Sequence, residues 1–543
     1  MKKFALFLMA IAVVFMSSAM VETASADTQA KIPEYIRVGL KYGNSAVGAA
    51  QVFTKGAITY GFYNGTTFVP VYTGSQGQKA TVKKDDDYHI LLASFGDDLN
   101  KGITYINELK GKNVNGFLMY DGNYSVVTGE YSSKAEADSA ASNLQKVLGN
   151  QNLTVVVPQK AIYVMADQKL TIKTDKLVAR PSNGFIELDN DVTYRGELWF
   201  YRQEGSDMTV INNLPLEQYL YSVVPSEMPS SWPQEALKAQ AVAARSYAVA
   251  NCLSSKYAKY GFDVTDDVSS QEYKGYAYGG GKYAGENPNA TKAVDATKGI
   301  VLTYGGKVIS ALFSSHSGGY TESSENVFKY PQPYLKAVPD PYSMGYTESL
   351  DNWKVTYSQA QLKDILRDQS VDIGDILSIE VINKSPSGRA LSVEVTGTKG
   401  KYTLQGEQEI RNVFNLKSAM IKSIDVLGEP GGLGTIWVSN GSNVVSKKTQ
   451  SLYVLKGDST VGMASERPFV ISASGLSQLN ASNGVQSVPD SFTFVGSGYG
   501  HGVGMSQYGA RGLAEKAGKN FVDILKYYYT GITVYDTLND KSL

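Results

Sequence analysis

A chain of 543 residues is too long for one ordinary compact core, so two or three domains are expected. Its 51 Lys and Arg against 52 Asp and Glu leave a formal charge of -1, which removes the simplest electrostatic case for nucleic acid or an anionic lipid surface as partner. The aromatics are dominated by 37 Tyr against 4 Trp, and rings with an apolar face and a polar tip suit sugar binding and an ordinary strand-rich surface equally well.

Lys2 and Lys3, an apolar run over residues 4–16 and the small-residue site Ala24-Ser25-Ala26 read as a signal peptide over residues 1–26. No later run reaches the roughly 18 apolar residues that a membrane span needs. The expected product is secreted, in the cell wall or extracytoplasmic space, with no stable membrane span after cleavage. Residues 27–87 alternate apolar and polar positions between Gly and Asn turns, which predicts short strands.

Residues 88–160 fall into two halves, each reading strand, helix, strand, a βαββαβ order. In the second half Ser133 and Glu136 have the spacing of a capping box, and Ala137, Ala140, Ala141, Leu144 and Leu148 keep one helical face apolar. The phrase "YSVVTGEYSSKAEADSAASNLQKV" resembles the SPOR domain, and the resemblance implies a module that binds peptidoglycan glycan strands. A small α/β spacer fits the same pattern.

Residues 161–543 begin with strands and reach "VVPSEMPSSWPQEALKAQAVAARSYAVA". Ser231 stands three residues before Gln234 and Pro233 suits a first helical turn, so a helix is predicted from about Trp232. Its run of Ala236, Ala239, Ala241, Ala243, Ala244 and Ala248 permits close approach by other elements and marks a central helix. Glu227 then falls in an irregular loop between Pro225 and Pro229, each with a fixed φ. A carboxylate on such a rigid loop is not a folding necessity, and its plainest reading is a solvated charge or a stabiliser of the positive helix end. The one cysteine, Cys252, has no internal partner and reads as a small core hydrophobe.

Two further stretches carry histidine. "GSGYGHGVGMSQYGA" sets His501 among glycines that let a backbone approach a ligand, with a helix expected from about Ser506. "ISALFSSHSGGYTES" reads as a strand ending at His316 before a Gly-Gly turn. The first lacks the spacing and acidic partner of a dinucleotide loop, and the second lacks the serine elbow of a hydrolase.

The segments "INNLPLEQYLYSVVPSEMPSSWPQEALKAQAVAARSYA", "SSQEYKGY", "FSSHSGGYTESSENVF", "SPSGRALSVEVTG" and "GYGHGVGMSQYGARGLAEKAG" resemble the SpoIID/LytB family in order and wording, over roughly residues 160 to 540. The resemblance implies a lytic transglycosylase acting on peptide-free peptidoglycan strands, with a role in sporulation. The alternative it implies is a non-enzymatic wall binder that enhances an N-acetylmuramoyl-L-alanine amidase. It assigns the catalytic acid to Glu227, with Gln271, Tyr273, His316, His501 and Gln507 as substrate-binding candidates. Relatives carry a His-Cys pair, associated with a bound metal, where Ser269 and Ser270 stand here, and with three histidines in the chain no metal or other cofactor is expected. The expected fold class is α+β and multi-domain: strand-rich, with a central Ala-rich helix and a small βαββαβ unit.

Overall fold

The computed structural model describes residues 32–149, 153–158, 160–202, 207–254, 256–328, 330–427 and 488–543, and between 428 and 487 only the backbone of six short strands. The expected signal peptide lies outside the described residues. Among the described residues no helix is long and apolar enough to cross a membrane.

The chain is a mixed α+β molecule built on two large sheets. In the first, seven strands run in the order Val264–Thr265, Tyr35–Lys41, Met208–Pro215, Glu197–Arg202, Lys176–Pro181, Ile58–Asn64 and Thr67–Thr73. All pair antiparallel except Val264–Thr265, which runs parallel to Tyr35–Lys41. Met208–Pro215 is buried along nearly its whole length, as a strand covered on both faces must be.

The second sheet has twelve strands and contains the βαββαβ unit. Its elements are Tyr88–Gly96, helix Leu99–Lys110, Gly116–Tyr120, Tyr124–Tyr131, helix Lys134–Leu148 and Thr154–Val156. Tyr88–Gly96 lies between Tyr124–Tyr131 and Thr154–Val156, and every pair within the unit is antiparallel. Its outer strand Gly116–Tyr120 continues the sheet by pairing parallel with Lys169–Ile172. Ser133 caps the second helix by accepting the Glu136 N–H at 3.3 Å. The Glu136 carboxylate turns instead to the Ser132 hydroxyl at 2.9 Å, so the reciprocal half of the box does not form.

Helix Gln234–Ser254 starts two residues later than the sequence suggests, with the Pro233 carbonyl accepting the first helical N–H groups. All six alanines named above are fully buried. Helices Leu216–Glu227, Pro288–Asp295, Gln507–Ala517 and Phe521–Tyr528 and strand Ile300–Tyr304 pack around it, which a helix covered on every side requires of its side chains: small, and few of them charged. Cys252 is half-buried at the edge of this core, and burial pushes its thiol up to about 12, so it behaves as a hydrophobe. A second core lies among strands Trp353–Ser358, Ile376–Lys384, Ala390–Gly397, Gly400–Gln405, Ile421–Leu427 and Ser491–Gly496, with helices Gln359–Asp368 and Glu407–Val413.

The central helix carries one wholly buried guanidinium. Arg245 donates to both Glu217 oxygens at 2.9 and 2.7 Å and to the carbonyls of Ile300 and Val294 at 3.1 and 3.3 Å. Removing one partner of a buried ion pair strands the other. Arg245→Ala is therefore expected to lower stability by about 3–5 kcal/mol, measured by urea unfolding against wild type.

Candidate functional site

Helix Leu216–Glu227 positions the acid. Leu216, Tyr219, Leu220, Val223 and Val224 fall at the spacing of one helical face and are all buried, which anchors the helix on the core. The structure corrects the expected loop: Pro225 lies inside the helix and Glu227 is its last residue. Proline costs a helix an N–H bond and crowds the preceding turn, but only the final residues are affected and the buried stripe before them holds. Met228 then takes an extended conformation while its N–H still bonds the Val224 carbonyl at 3.0 Å.

This inverts the expected electrostatics. Glu227 stands at the C-terminal, negative end of a helix dipole, which disfavours a carboxylate. The group is half-buried. Its Oε1 accepts the backbone N–H of Glu272 at 2.9 Å and its Oε2 the side-chain amide of Gln507 at 3.4 Å. Burial pushes the carboxyl above its usual range and the nearby Glu272 charge adds to this. The two donors and Lys274 oppose the rise without cancelling it.

The segment that meets Glu227 is laid down by its buried neighbours. Gln271 bonds the Tyr219 hydroxyl at 3.1 Å and the Ala244 carbonyl at 3.4 Å. Tyr273 donates to Asn212 Oδ1 at 2.7 Å, and Asn212 is itself fixed by the Arg195 and Glu197 carbonyls. Both side chains are turned into the core. What the segment presents to the carboxylate is the Glu272 N–H, and the Lys274 N–H bonds Ser222 Oγ at 3.1 Å to hold it there. Sequence reasoning passed over Glu272. The signal was the alternation of an extended segment, in which residues 271 and 273 share one side and 272 the other.

Gln507 opens helix Gln507–Ala517, which Ser506 caps by accepting the Gly509 N–H at 3.1 Å, as the expected start near Ser506 requires. The glycine loop before it is pinned from below. His316 exchanges both backbone hydrogen bonds with Tyr499, and its buried ring accepts the Gly318 N–H at 3.0 Å and faces Asp351 at 3.2 Å. Burial pulls its pKa down against the pull of Asp351. His501 accepts the Val503 N–H at 3.0 Å and packs edge-on to Phe328. Burial beside Arg411 and Arg389 lowers it to about 3, so it is neutral at ordinary pH. Arg389, fully buried, donates to the carbonyls of Ser317 at 2.7 Å and Gly500 at 3.4 Å. A Cβ on Gly502, whose φ is +77°, would lie 2.2 Å from its Nη2, so only glycine passes here. Of the five companions named from the sequence, Gln507 alone reaches Glu227 through its side chain.

Ser269 and Ser270 do not fit the metal that the family resemblance associates with this position. They offer neutral hydroxyls in a turn in which Asp267 accepts the Ser269 N–H and Ser270 Oγ accepts the Thr265 N–H, and zinc takes thiolate, imidazole or carboxylate donors. Among the described residues no group of three or more His, Cys, Asp or Glu could hold a metal.

The family described as stage II sporulation protein (SpoIID) matches residues 204–304, the stretch that carries Glu227 and the Glu272 segment, and a domain of unknown function matches residues 342–429. The chain is 35% identical over 317 residues to the amidase enhancer of Bacillus subtilis, spanning 58% of this chain and 40% of that protein. It is 30% identical over 331 residues to stage II sporulation protein D of the same organism, spanning 60% of this chain and 75% of that protein. An uncharacterised protein of Brachyspira hyodysenteriae is 28% identical over 395 residues, or 73% of this chain and 85% of its own.

A carboxyl whose folded pKa lies above its ordinary value of 4.5 weakens the fold where it is ionised and is neutral toward it where it is protonated in both states. In Glu227→Gln the amide oxygen can keep the Glu272 N–H and Gln507 can turn its own oxygen to the new NH2. The variant is expected to match or exceed wild-type stability at neutral pH. The gap should close as pH falls through the raised pKa to below about 4, measured by denaturant melts at successive pH values.

Proposed function

The chain belongs to the stage II sporulation protein D family, and on that premise we propose that it is an exported wall protein that cleaves peptide-free peptidoglycan glycan strands as a lytic transglycosylase. The observation that carries the reading is the Glu227 carboxyl: half-buried, at the negative end of a helix, with its pKa raised and two hydrogen-bond donors in place.

A general acid must hold its proton near the working pH and give it up in the transition state. The raised pKa serves the first requirement. In the proposed reaction Glu227 protonates the glycosidic oxygen as that bond breaks. The resulting carboxylate, met by the Glu272 N–H and the Gln507 amide, then takes the proton of the muramic acid C6 hydroxyl. That oxygen closes on C1 to give a 1,6-anhydro ring, and the proton is back on Glu227. No water is consumed, so a second carboxylate to activate it is not needed, unlike in hydrolytic glycosidases.

Residues 88–160 are proposed to bind the same glycan; their βαββαβ order and sheet pairing support that reading. A second reading rests on the 35% identity to an amidase enhancer, 40% of whose length is matched: the protein would hold glycan and stimulate a cell-wall amidase without cutting. Wild type and Glu227→Gln incubated with amidase-stripped glycan strands separate the two by mass spectrometry. The enzyme leaves 1,6-anhydro ends, and Glu227→Gln is expected to cut at least ~10²-fold more slowly, the usual scale of general acid-base catalysis. Unaltered strands, with amidase stimulation equal in both proteins, would establish the enhancer reading in its place.

A further inference from the structure

Beside the acid-bearing helix lies a groove of about 860 Å³ that the proposed chemistry leaves unused. It is walled by Tyr221 of that helix, by the hairpin of strands Ala277–Tyr278 and Tyr283–Ala284, and by helix Pro288–Asp295. We infer that this groove is a second glycan-binding site, for a chain of mostly uncharged pyranose sugars, separate from the site at Glu227.

Its rings are the first argument. Tyr276 packs on Phe185 at 4.7 Å and on the Arg195 guanidinium at 5.2 Å, yet is 41% exposed. Tyr283 stacks on Tyr278 at 5.2 Å and is 47% exposed. Large aromatics held in place and left open to solvent offer a flat apolar face to the C–H side of a pyranose, with hydroxyls at the edge.

The polar groups are the second. Arg195 and Glu286 form a bidentate pair at 2.6 and 2.9 Å in the wall, and Tyr221 donates to Asp295 at 2.7 Å. With Lys282 and Lys292 the lining holds one more cation than anions. That balance suits a chain whose hydroxyls and amides supply most contacts and whose carboxylates are sparse. It does not suit a polyanion, which needs a row of unpaired cations.

The mounting is the third. Gly279, Gly280 and Gly281 all have positive φ and make a tight tip, and the N–H groups of Gly279 and Gly280 are tied to Asp191 at 3.0 and 2.9 Å. The hairpin is thus fixed before a ligand arrives, which lowers the entropy cost of binding. Its outer strand, two residues long, offers too short an edge for an added peptide strand.

The wall-glycan reading above suggests the natural chain but is not needed for the test. Hydrogen exchange by mass spectrometry is read on the full-length protein with chitohexaose and, in parallel, peptide-free wall glycan. Slowed exchange is expected in peptides covering residues 276–295, kept in Glu227→Gln and lost in the Tyr276→Ala/Tyr283→Ala double variant, whose affinity for the same probes by calorimetry should fall at least tenfold. Protection confined to residues 88–160 or to the Glu227 segment overturns the inference, as does protection of residues 276–295 that survives the double variant. Tyr283→Ala alone, at the exposed hairpin, gives the same readout should the double variant misfold. Since Glu227→Gln alters no residue of the groove, a failure of the transglycosylase reading leaves this result standing, and the converse also holds.

Discussion

The geometry of the acid depends on a buried guanidinium. Arg245 sits inside the alanine-rich helix and binds Glu217, one residue into the helix that ends at Glu227, together with carbonyls from strand Ile300–Tyr304 and helix Pro288–Asp295. Such a pair pays heavily in desolvation and is weak evidence of stability for its own sake. What it fixes is relative position: four elements can satisfy this one fork in only one arrangement. Alanine along the rest of the helix lets its neighbours close in to the distance at which the fork reaches all of them. Glu217, in the first turn, also lies at the positive end of the dipole whose negative end bears on Glu227. One helix therefore stabilises the charge at its start and destabilises the charge at its end.

Much of this was legible in the sequence, and the failures have physical reasons. The βαββαβ unit, the Ser133 cap, the helix start near Ser506 and the alanine helix are local signals, set by periodicity and by residues near each helix end. The helix ending at Glu227 was missed because Pro225 and Pro229 are strong local breakers. The burial of Tyr219, Leu220, Val223 and Val224, a tertiary effect, outweighs them. Gln271 and Tyr273 were candidates through the family resemblance, and their polar tips are turned inside onto Tyr219, Ala244 and Asn212. Nor could composition show that His316 and His501 serve their own loops: each accepts the N–H two residues on, a bond set by local backbone geometry.

The second core around residues 353–427 touches the site only indirectly. Arg389, which follows strand Ile376–Lys384 closely, reaches out of it to the carbonyls of Ser317 and Gly500 and so braces both histidine loops from one side. Glu322, between those loops in space through its N–H bond to Gly502, accepts hydroxyls from Ser385 at 2.5 Å and from Ser387. The two cores thus meet through charged and hydroxyl groups hydrogen-bonded across the boundary, a contact more specific in register than an apolar one and less forgiving of a lost partner.

The two donors that hold Glu227 come from positions 45 and 280 residues further along the chain. Loop closure over such a span must be completed before the second contact returns anything. A ribosome releases the chain from its N-terminus, so the carboxyl and its helix emerge long before Gln507 exists as a folded neighbour. Strand Thr533–Asp536, which closes against Ile300–Tyr304, arrives later still. The acid is thus made in the first half of the chain and completed only near its end, and a chain cut short between residues 272 and 507 would carry Glu227 with one of its two hydrogen-bond donors missing.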